Sequence, residues 1–359
     1  MKEFLLGSVV EHPHHGCGEV TFISDDYIGM RFSTGGDALL KRASFAALPI
    51  LDLLPQEALN RSNLAWPDST FIHDQEERKH YWGSRWNPFM EDANALFERL
   101  PELFGKATQQ KGYAQFYSPS RAEPSSWRKG IAQVWPELEK GIVLLANVDE
   151  TSEQIMFANT FPFFAGGAQT TLLIDKVEVW HNGVEAQISA QWGEGEVCFF
   201  DTKYLINRAC YEQDKSYEFI LTGLAYDAQA STVFSLPMPH NPTITAWQNQ
   251  FSSVAIESRA KTPETMNLTG MAMFLPMEGW DKDDYQFRSP IKEVKEFTDF
   301  LGQNGWRVRA TVMRFGDEDA DLDIVITQRA WHSDAPPQVG QDIEGSLWLQ
   351  GHLWLVNKK

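Results

Sequence analysis

The sequence LDIVIT at residues 322–327 repeats the pattern of VCFFDT at residues 197–202. Two flanking stretches repeat as well: IDKVE at 174–178 matches IKEVK at 291–295, and residues 214–226 match residues 342–354. Each copy alternates apolar and polar residues at the period of two that half-buried strands require. The second half of the chain is therefore an internal repeat of β-strands.

Each copy also contains one short helical or loop excursion, residues 203–211 in the first copy. Strands interrupted in this way suit a five-stranded OB-like barrel. We predict two tandem OB-like β-barrels, copy 1 at 161–236 and copy 2 at 243–359, joined by the proline-containing linker 237–242.

The first half of the chain contains two further regions. Residues 1–50 contain short strands at 7–10, 16–23, 27–32 and 38–40, which predict an SH3-like or Tudor-like barrel. Residues 51–160 form a mixed α/β connecting region. The fold class is mainly β with some α, α+β overall.

Three local patterns predict the secondary structure of the connecting region. Leu96, Leu100 and Phe104 form the apolar stripe of a helix that Pro101 breaks or kinks. A short helix is predicted around 127–134, and 141–148 is an apolar run of strand length.

The N-terminal unit resembles a known module. It contains the pattern G-x-x-V-x-x-P-x-H-G-x-G-x-[IV], carried by Gly7, Val10, Pro13, His15, Gly16, Gly18 and Val20. This pattern is similar to the opening of the Tudor-like module of CarD-type transcription regulators and of the C-terminal module of UvrD-type helicases. The resemblance covers about the first 45 residues. It implies a small barrel that contacts RNA polymerase, although His12 stands where the family has an aromatic residue.

The bulk properties restrict the partners. The 359 residues include 49 acidic and 31 basic ones, a net charge of −18, which argues against non-specific binding of nucleic acid through phosphates. Three cysteines indicate reduced thiols rather than a disulfide framework. The N-terminus lacks a signal-peptide core, and no apolar run is long enough to span a membrane. We expect a cytoplasmic, bacterial protein with no membrane partner.

Several clusters invite a catalytic or metal-binding interpretation. His12, His14, His15 and Cys17 lack the second, separated ligand pair that a zinc site needs. The alternating Asp317, Asp319, Asp321 and Asp323 lack the Gly and Glu of a calcium loop, so they predict a hairpin with Asp321 and Asp323 on its wet face. Nucleophile and phosphate-loop motifs are missing. The sequence therefore assigns no catalytic residue, metal or cofactor.

One strand has the composition of a nucleic-acid contact. Trp306, Arg307 and Arg309, with Arg314 beyond them, combine an aromatic platform with positive charge. Trp180, Trp192 and Tyr204 of the first copy have little positive charge nearby, and aromatic residues at strand spacing more often fill a core. Trp306, Arg307, Arg309 and Arg314, with His12 and His15, are the candidate contacts to nucleic acid or to a protein partner.

The sequence therefore favours a non-enzymatic binding or adaptor protein that acts through protein–protein contacts, with transcription or defence machinery as the expected partner. A single-stranded nucleic-acid binding protein is the first alternative. An enzyme whose site is assembled from distant residues is the second.

Overall fold

The computed structural model describes residues 9–12, 16–23, 27–32, 37–41, 50–51, 69–72, 82–117, 124–137, 139–148, 155–180, 182–207, 211, 214–237 and 265–353. Its helices are a 3₁₀ helix (Trp82–Trp86), α1 (Ala95–Lys106) and α2 (Tyr204–Asn207). The strands of the first half are β1 (Val9–His12), β2 (Gly16–Ile23), β3 (Tyr27–Phe32), β4 (Asp37–Lys41), β5 (Ile50–Leu51), β6 (Ser69–Ile72), β7 (Thr108–Tyr117), β8 (Pro124–Pro136), β9 (Lys140–Val148) and β10 (Ile155–Phe164).

The strands of the second half are β11 (Ala168–Trp180), β12 (Ala186–Trp192), β13 (Gly195–Asp201), β14 (Ser216–Ala230), β15 (Ser235–Pro237), β16 (Thr265–Asn267), β17 (Met273–Pro276), β18 (Asp284–Phe300), β19 (Gln303–Phe315), β20 (Glu318–Thr327) and β21 (Asp342–Leu353). The chain is therefore mainly β, as its alternating pattern predicts. None of the helices in the described ranges is long and apolar enough to cross a membrane.

The N-terminal strands form a five-stranded sheet in the order β4-β3-β2-β1-β5. Val10, Val20, Ile28 and Met30 are fully buried in it. The predicted strands at 16–23 and 27–32 have the bounds of β2 and β3. The SH3-like or Tudor-like identity of this unit stays a prediction.

The connecting region contains an antiparallel sheet in the order β10-β9-β8-β7. The predicted helix around 127–134 is wrong, because these residues belong to β8. Ala132 and Val134 are buried, and Ile131 and Gln133, which alternate with them, are half-buried. This alternation has the period of a strand. The predicted strand at 141–148 is confirmed as β9.

The predicted helix stripe is present in α1, where Leu96 and Leu100 are buried and Phe104 is half-buried. Of the two expected effects of Pro101, a break or a kink, the break is wrong, because the helix continues through this residue to Lys106. Pro101 removes one backbone hydrogen bond. Burial of the apolar stripe against Ile142 and Leu144 of β9 offsets that loss.

The second half of the chain is organised around the two long strands β14 and β21, which pair antiparallel from Phe219↔Leu353 to Ala230↔Ile343. The edge of β14 that faces away from β21 pairs with β11 at residues 216–221 and then, in parallel, with β20 at residues 222–224. The edge of β21 that faces away from β14 pairs with β18 at residues 342–348 and then, in parallel, with β13 at residues 350–351. The pairing of each copy thus repeats in the other, as an approximate two-fold axis between β14 and β21 requires.

These pairings close two five-stranded rings, one at each end of the β14–β21 pair. The first ring is β11-β12-β13-β21-β14 and the second is β18-β19-β20-β14-β21. The prediction assigned β14 and β21 to separate tandem barrels. Both strands instead belong to both rings, because β14 pairs with β20 and β21 pairs with β13.

The cores follow from this arrangement. One apolar cluster fills the rings and includes Ile174 and Ile291, the equivalent residues of the two copies. A second cluster lies between the outer face of the rings and the sheet of β8, β9 and β10, with Trp348 of β21 at its centre. Phe89, which follows the 3₁₀ helix, packs in this second cluster, so the segment after residue 82 is fixed against the rings.

Candidate functional site

A groove of about 750 Å³ opens beside the second ring. Its walls come from β14 to β18, from β21 and from the 3₁₀-helix segment. We call it the methionine groove, after four methionines in its lining: Met266, Met271, Met273 and Met277. Its other lining residues are Ser84, Asn87, Tyr226, Asp227, Leu236, Leu268, Trp280, Gln286, Phe287, Arg288, Glu344, Gly345 and Ser346.

Exposed apolar side chains contribute to the lining of the groove. Eleven large apolar residues are exposed in the described ranges, and three of them line the groove. These three are Leu236, Met266 and Trp280. Apolar side chains that cluster at one opening, rather than scatter over the surface, mark a binding surface.

Local backbone features aim two aromatic residues at the groove. Tyr226 lies at a β-bulge in the β14–β21 ladder, where Ala225 pairs with Leu347 and Asp227 pairs with Ser346. A bulge brings two successive residues to one side of a strand, so Tyr226 and Asp227 both line the groove.

Trp280 lies in the turn between β17 and β18. Gly279 precedes it at φ 81°, a conformation that favours glycine. The rings of Tyr226 and Trp280 lie 5.7 Å apart, tilted by 45°. The two aromatic side chains therefore form a pair within the groove.

The polar wall of the groove is built around Arg288. Its Nη1 donates to Glu344 Oε2 at 2.9 Å, its Nη2 donates to the Val233 carbonyl at 2.6 Å, and Asp342 lies 3.8 Å away. This side chain holds the segment before β15 against β18 and β21. Next to it, Ser346 donates a hydrogen bond to Asp227.

A buried network, which we call the Arg85 cluster, lies below the groove. Arg85 of the 3₁₀ helix is 4% exposed, and its Nη2 lies 3.5 Å from Asp283 and 3.9 Å from Asp281. Its guanidinium also packs over the rings of Trp348 and Phe200, at 4.1 Å and 4.9 Å from their centroids. The Nε and Nη1 atoms of Arg85 make no hydrogen bond to any described residue.

Neighbouring groups donate hydrogen bonds to the carboxylates of the cluster. Asp283 accepts hydrogen bonds from Trp348 Nε1 at 2.9 Å and from Gln187 Nε2 at 2.8 Å. Asp284 accepts one from the Tyr226 hydroxyl at 2.6 Å and one from the Asp281 amide at 3.1 Å. Tyr226 therefore connects the groove to the buried network.

The network shifts three pKa values. Burial raises the pKa of Asp284 to about 7, although the Tyr226 hydrogen bond and Arg85 oppose the shift. Burial and the charge of Asp284 raise the pKa of Tyr226 well above its usual value. Burial lowers the pKa of Arg85, but Asp283 and its neighbours outweigh that effect and the net pKa is raised. Arg85 therefore stays charged, and Asp284 is about half protonated at neutral pH.

Asp281, Asp283 and Asp284 offer carboxylate oxygens within 4.8 Å of one another, close enough to hold a metal ion. The Arg85 guanidinium already provides a positive charge beside Asp281 and Asp283. The geometry therefore describes a buried ion-pair network. We assign no metal to it.

The arginines singled out from the sequence face carboxylates. Arg309 donates to Asp323 at 2.7 Å and 3.2 Å, and Arg307 lies 3.8 Å from the same side chain. Arg314 donates to Asp319 at 3.0 Å. We call Arg307, Arg309 and Asp323 the strand pair site.

Trp306 is 9% exposed and contacts Trp331, with ring centroids 6.1 Å apart, so it packs as a core residue. The expectation that Asp323 lies on a wet face is wrong: it is 2% exposed. Arg309, its cross-strand neighbour, covers it. Asp321 does reach solvent and pairs with Lys292 at 2.6 Å.

A second cavity of about 490 Å³ adjoins this strand. It lies between the two copies, with Gly167, Gln169 and Trp192 on one side and Arg309 and Asp321 on the other. Its acidic residues, Asp319 and Asp321, are the ones that pair with Arg314 and Lys292.

The remaining predicted contacts are in the N-terminal unit. His12 ends β1, opposite Gly16 of β2. His15 lies outside the described residues.

The sequence reasoning missed both the groove and the Arg85 cluster. One signal was present, because four of the ten methionines fall within residues 266–277. Nothing in the sequence distinguishes Arg85 from an exposed arginine, since its partners lie about 200 residues away in the chain.

No family model matches the chain, and comparisons with curated proteins and with solved structures give no match either. The function therefore has to be inferred from the geometry described above.

Proposed function

We propose that this protein is a binding or adaptor protein that holds an apolar segment of a partner protein in the methionine groove. The observation that carries the proposal is the apolar lining of this opening, which combines four methionines with the exposed side chains of Leu236 and Trp280. Methionine is unbranched and polarisable, so methionine-lined surfaces adapt to apolar partners of different shapes.

The lining of the groove suits an amphipathic segment. It combines apolar residues of β15, β16 and β17, such as Leu236, Met266 and Met273, with polar groups of β18 and β21 around Arg288. An amphipathic segment that lays its apolar face into such a groove is a common mode of peptide recognition.

The test uses a fluorescein-labelled 15-residue amphipathic peptide with leucines on one face and glutamines on the other. We expect binding by fluorescence polarisation with a Kd of about 10 µM or lower. The double variant Leu236→Asn, Met266→Gln removes two apolar rim contacts and should weaken binding about tenfold or more.

The matched control is Ile155→Asn, Val339→Asn, which changes two exposed apolar residues that do not line the groove. This variant should bind as the wild type does. No binding by the wild type, or equal loss in both double variants, would overturn the proposal.

A second candidate, single-stranded nucleic-acid binding, draws support from the two five-stranded rings. Their strand order, with a parallel pair and a short helix before β14, is compatible with the OB-like interpretation. Any phosphate at Arg309 would compete with Asp323 for the guanidinium. Polarisation titrations with short single-stranded DNA and RNA at low and high salt test this candidate, and binding that Arg307→Glu abolishes would favour it.

A further inference from the structure

Building on the proposed function, we propose that the methionine groove selects apolar segments that carry a cationic side chain, lysine or arginine. Tyr226 and Trp280, with Asp227 beside them, would receive the cation. The charge of the groove and the placement of its aromatic pair carry this inference together.

Carboxylates outnumber cations around the groove. Asp227 and Glu344 line it, Asp342 contacts the polar wall, and Glu278 is exposed in the turn that carries Trp280. Asp281 and Asp283 lie below, beside Asp284, which burial keeps partly protonated at neutral pH by raising its pKa to about 7. The guanidiniums of Arg85 and Arg288 are the cations that contact these carboxylates among the described residues.

The nearby cations are already engaged. Arg288 contacts Glu344 and Asp342. Lys282, in the same turn as Trp280, donates to both oxygens of Glu178 at 2.7 Å and so points away from the groove carboxylates. Among the described residues at the groove, negative charges therefore outnumber positive ones, and a cationic group on the partner is complementary to them.

The aromatic pair adds a geometric reason. The faces of Trp and Tyr rings attract cations, and they do so most strongly where water is partly excluded. The Tyr226 hydroxyl is fixed by its hydrogen bond to Asp284, which holds the ring in place. The two rings, 5.7 Å apart, have carboxylates as chain neighbours, Asp227 after Tyr226 and Asp281 after Trp280.

The experiment compares three labelled peptides with the same leucine face. The first has glutamine on its polar face, the second lysine and the third glutamate; a fourth peptide keeps the lysines but replaces each leucine by serine. We expect the leucine–lysine peptide to bind about tenfold more tightly than the leucine–glutamate peptide, and the serine–lysine peptide to bind weakly.

Because the whole chain carries a net charge of −18, general attraction must be separated from the groove. The variant Asp227→Asn, Glu278→Gln removes one charge that lines the groove and one in the turn that carries Trp280. The control Glu194→Gln, Glu296→Gln removes two exposed charges that do not line it. The groove variant should lose about fivefold in affinity for the leucine–lysine peptide, and the control should lose less than about twofold.

The outcomes separate this inference from the proposed function. Equal binding of the lysine and glutamate peptides, with the glutamine peptide also bound, overturns the cation preference and leaves the groove function standing. Equal loss in the two charge variants, or strong binding of the serine–lysine peptide, overturns the cation preference as well. Failure of every leucine peptide overturns the proposed function itself.

Discussion

Two arginine–aspartate sites in this molecule have the same chemistry and different surroundings. The Arg85 cluster is buried beneath the methionine groove, where the Arg85 side chain is 3% exposed. In the strand pair site only the cation reaches the surface: the Arg309 side chain is 40% exposed, and that of Asp323 is 3% exposed. The comparison shows that the sequence singled out the arginines that stand together on a strand, whereas the arginine that links two regions of the fold stands alone in the sequence.

Burial changes what each ion pair contributes. A buried charge that loses its partner is strongly destabilising, because the remaining charge stays out of water. An exposed pair contributes little, since water and salt screen it. The two sites should therefore respond very differently to the same kind of substitution.

The largest expected effect is that of Arg85→Ala. Removing the guanidinium leaves Asp281 and Asp283 without this cation, and it also removes the contacts to Trp348 and Phe200. The free energy of unfolding should fall by about 3–5 kcal/mol. Urea unfolding followed by tryptophan fluorescence measures it, and a loss below about 1 kcal/mol would contradict a buried, stabilising network.

A pH titration of stability should give an intermediate effect. The pKa of Asp284 is raised to about 7 in the folded protein, so the folded state keeps a proton that the unfolded state releases near pH 4. The stability contribution of this group is present below the unfolded pKa and is lost as pH rises towards 7. The stability of the wild type relative to Asp284→Asn should therefore fall between pH 5 and pH 8, by about 2–3 kcal/mol.

The surface acids should respond in the opposite direction. The hydrogen bond from Lys292 lowers the pKa of Asp319, so its contribution is present at neutral pH and is lost as the solution is acidified. Asp319→Asn is therefore the control for the titration of Asp284. A wild type whose stability relative to Asp284→Asn does not change between pH 5 and pH 8 would contradict the raised pKa.

The smallest effect is expected for Arg309→Ala. Removing the exposed Arg309 side chain opens the Asp323 carboxylate to water, and Arg307 remains 3.8 Å from it. The loss should be about 1 kcal/mol or less, and 0.5 M NaCl should reduce it further. The same urea titration measures it, and a loss as large as that of Arg85→Ala would remove the distinction between the two sites.

The strands were the most predictable part of the fold. β2, β3 and β9 lie where alternation or apolar runs predict them. The repeat also identified β11, which contains Ile174, and β18, which contains Ile291, as equivalent strands of the two copies. The segment 127–134 failed because its composition suits a helix, while pairing with β7 and β9 makes it a strand. Residue spacing alone does not record which neighbour a segment will pair with.

The candidate site was less predictable. Arg307, Arg309 and Arg314 were visible as a basic strip, but their carboxylate partners lie on the neighbouring strand β20, and only the hairpin register brings them together. Asp323 looked like a solvent-facing residue because its chain neighbours alternate, yet the guanidinium of Arg309 covers it. The methionine cluster at 266–277 was the one signal that could have led to the groove.

The sequence by itself determined the β character of the chain, the internal repeat and the acidic charge, because these depend on local alternation and on composition. Only the tertiary structure decided that the two copies share β14 and β21, because hydrogen bonding between strands joins residues far apart in the chain. The tertiary structure likewise placed Arg85 beside Asp283 and Tyr226 beside Trp280. Burial and proximity arise from packing, and packing is a property of the whole chain.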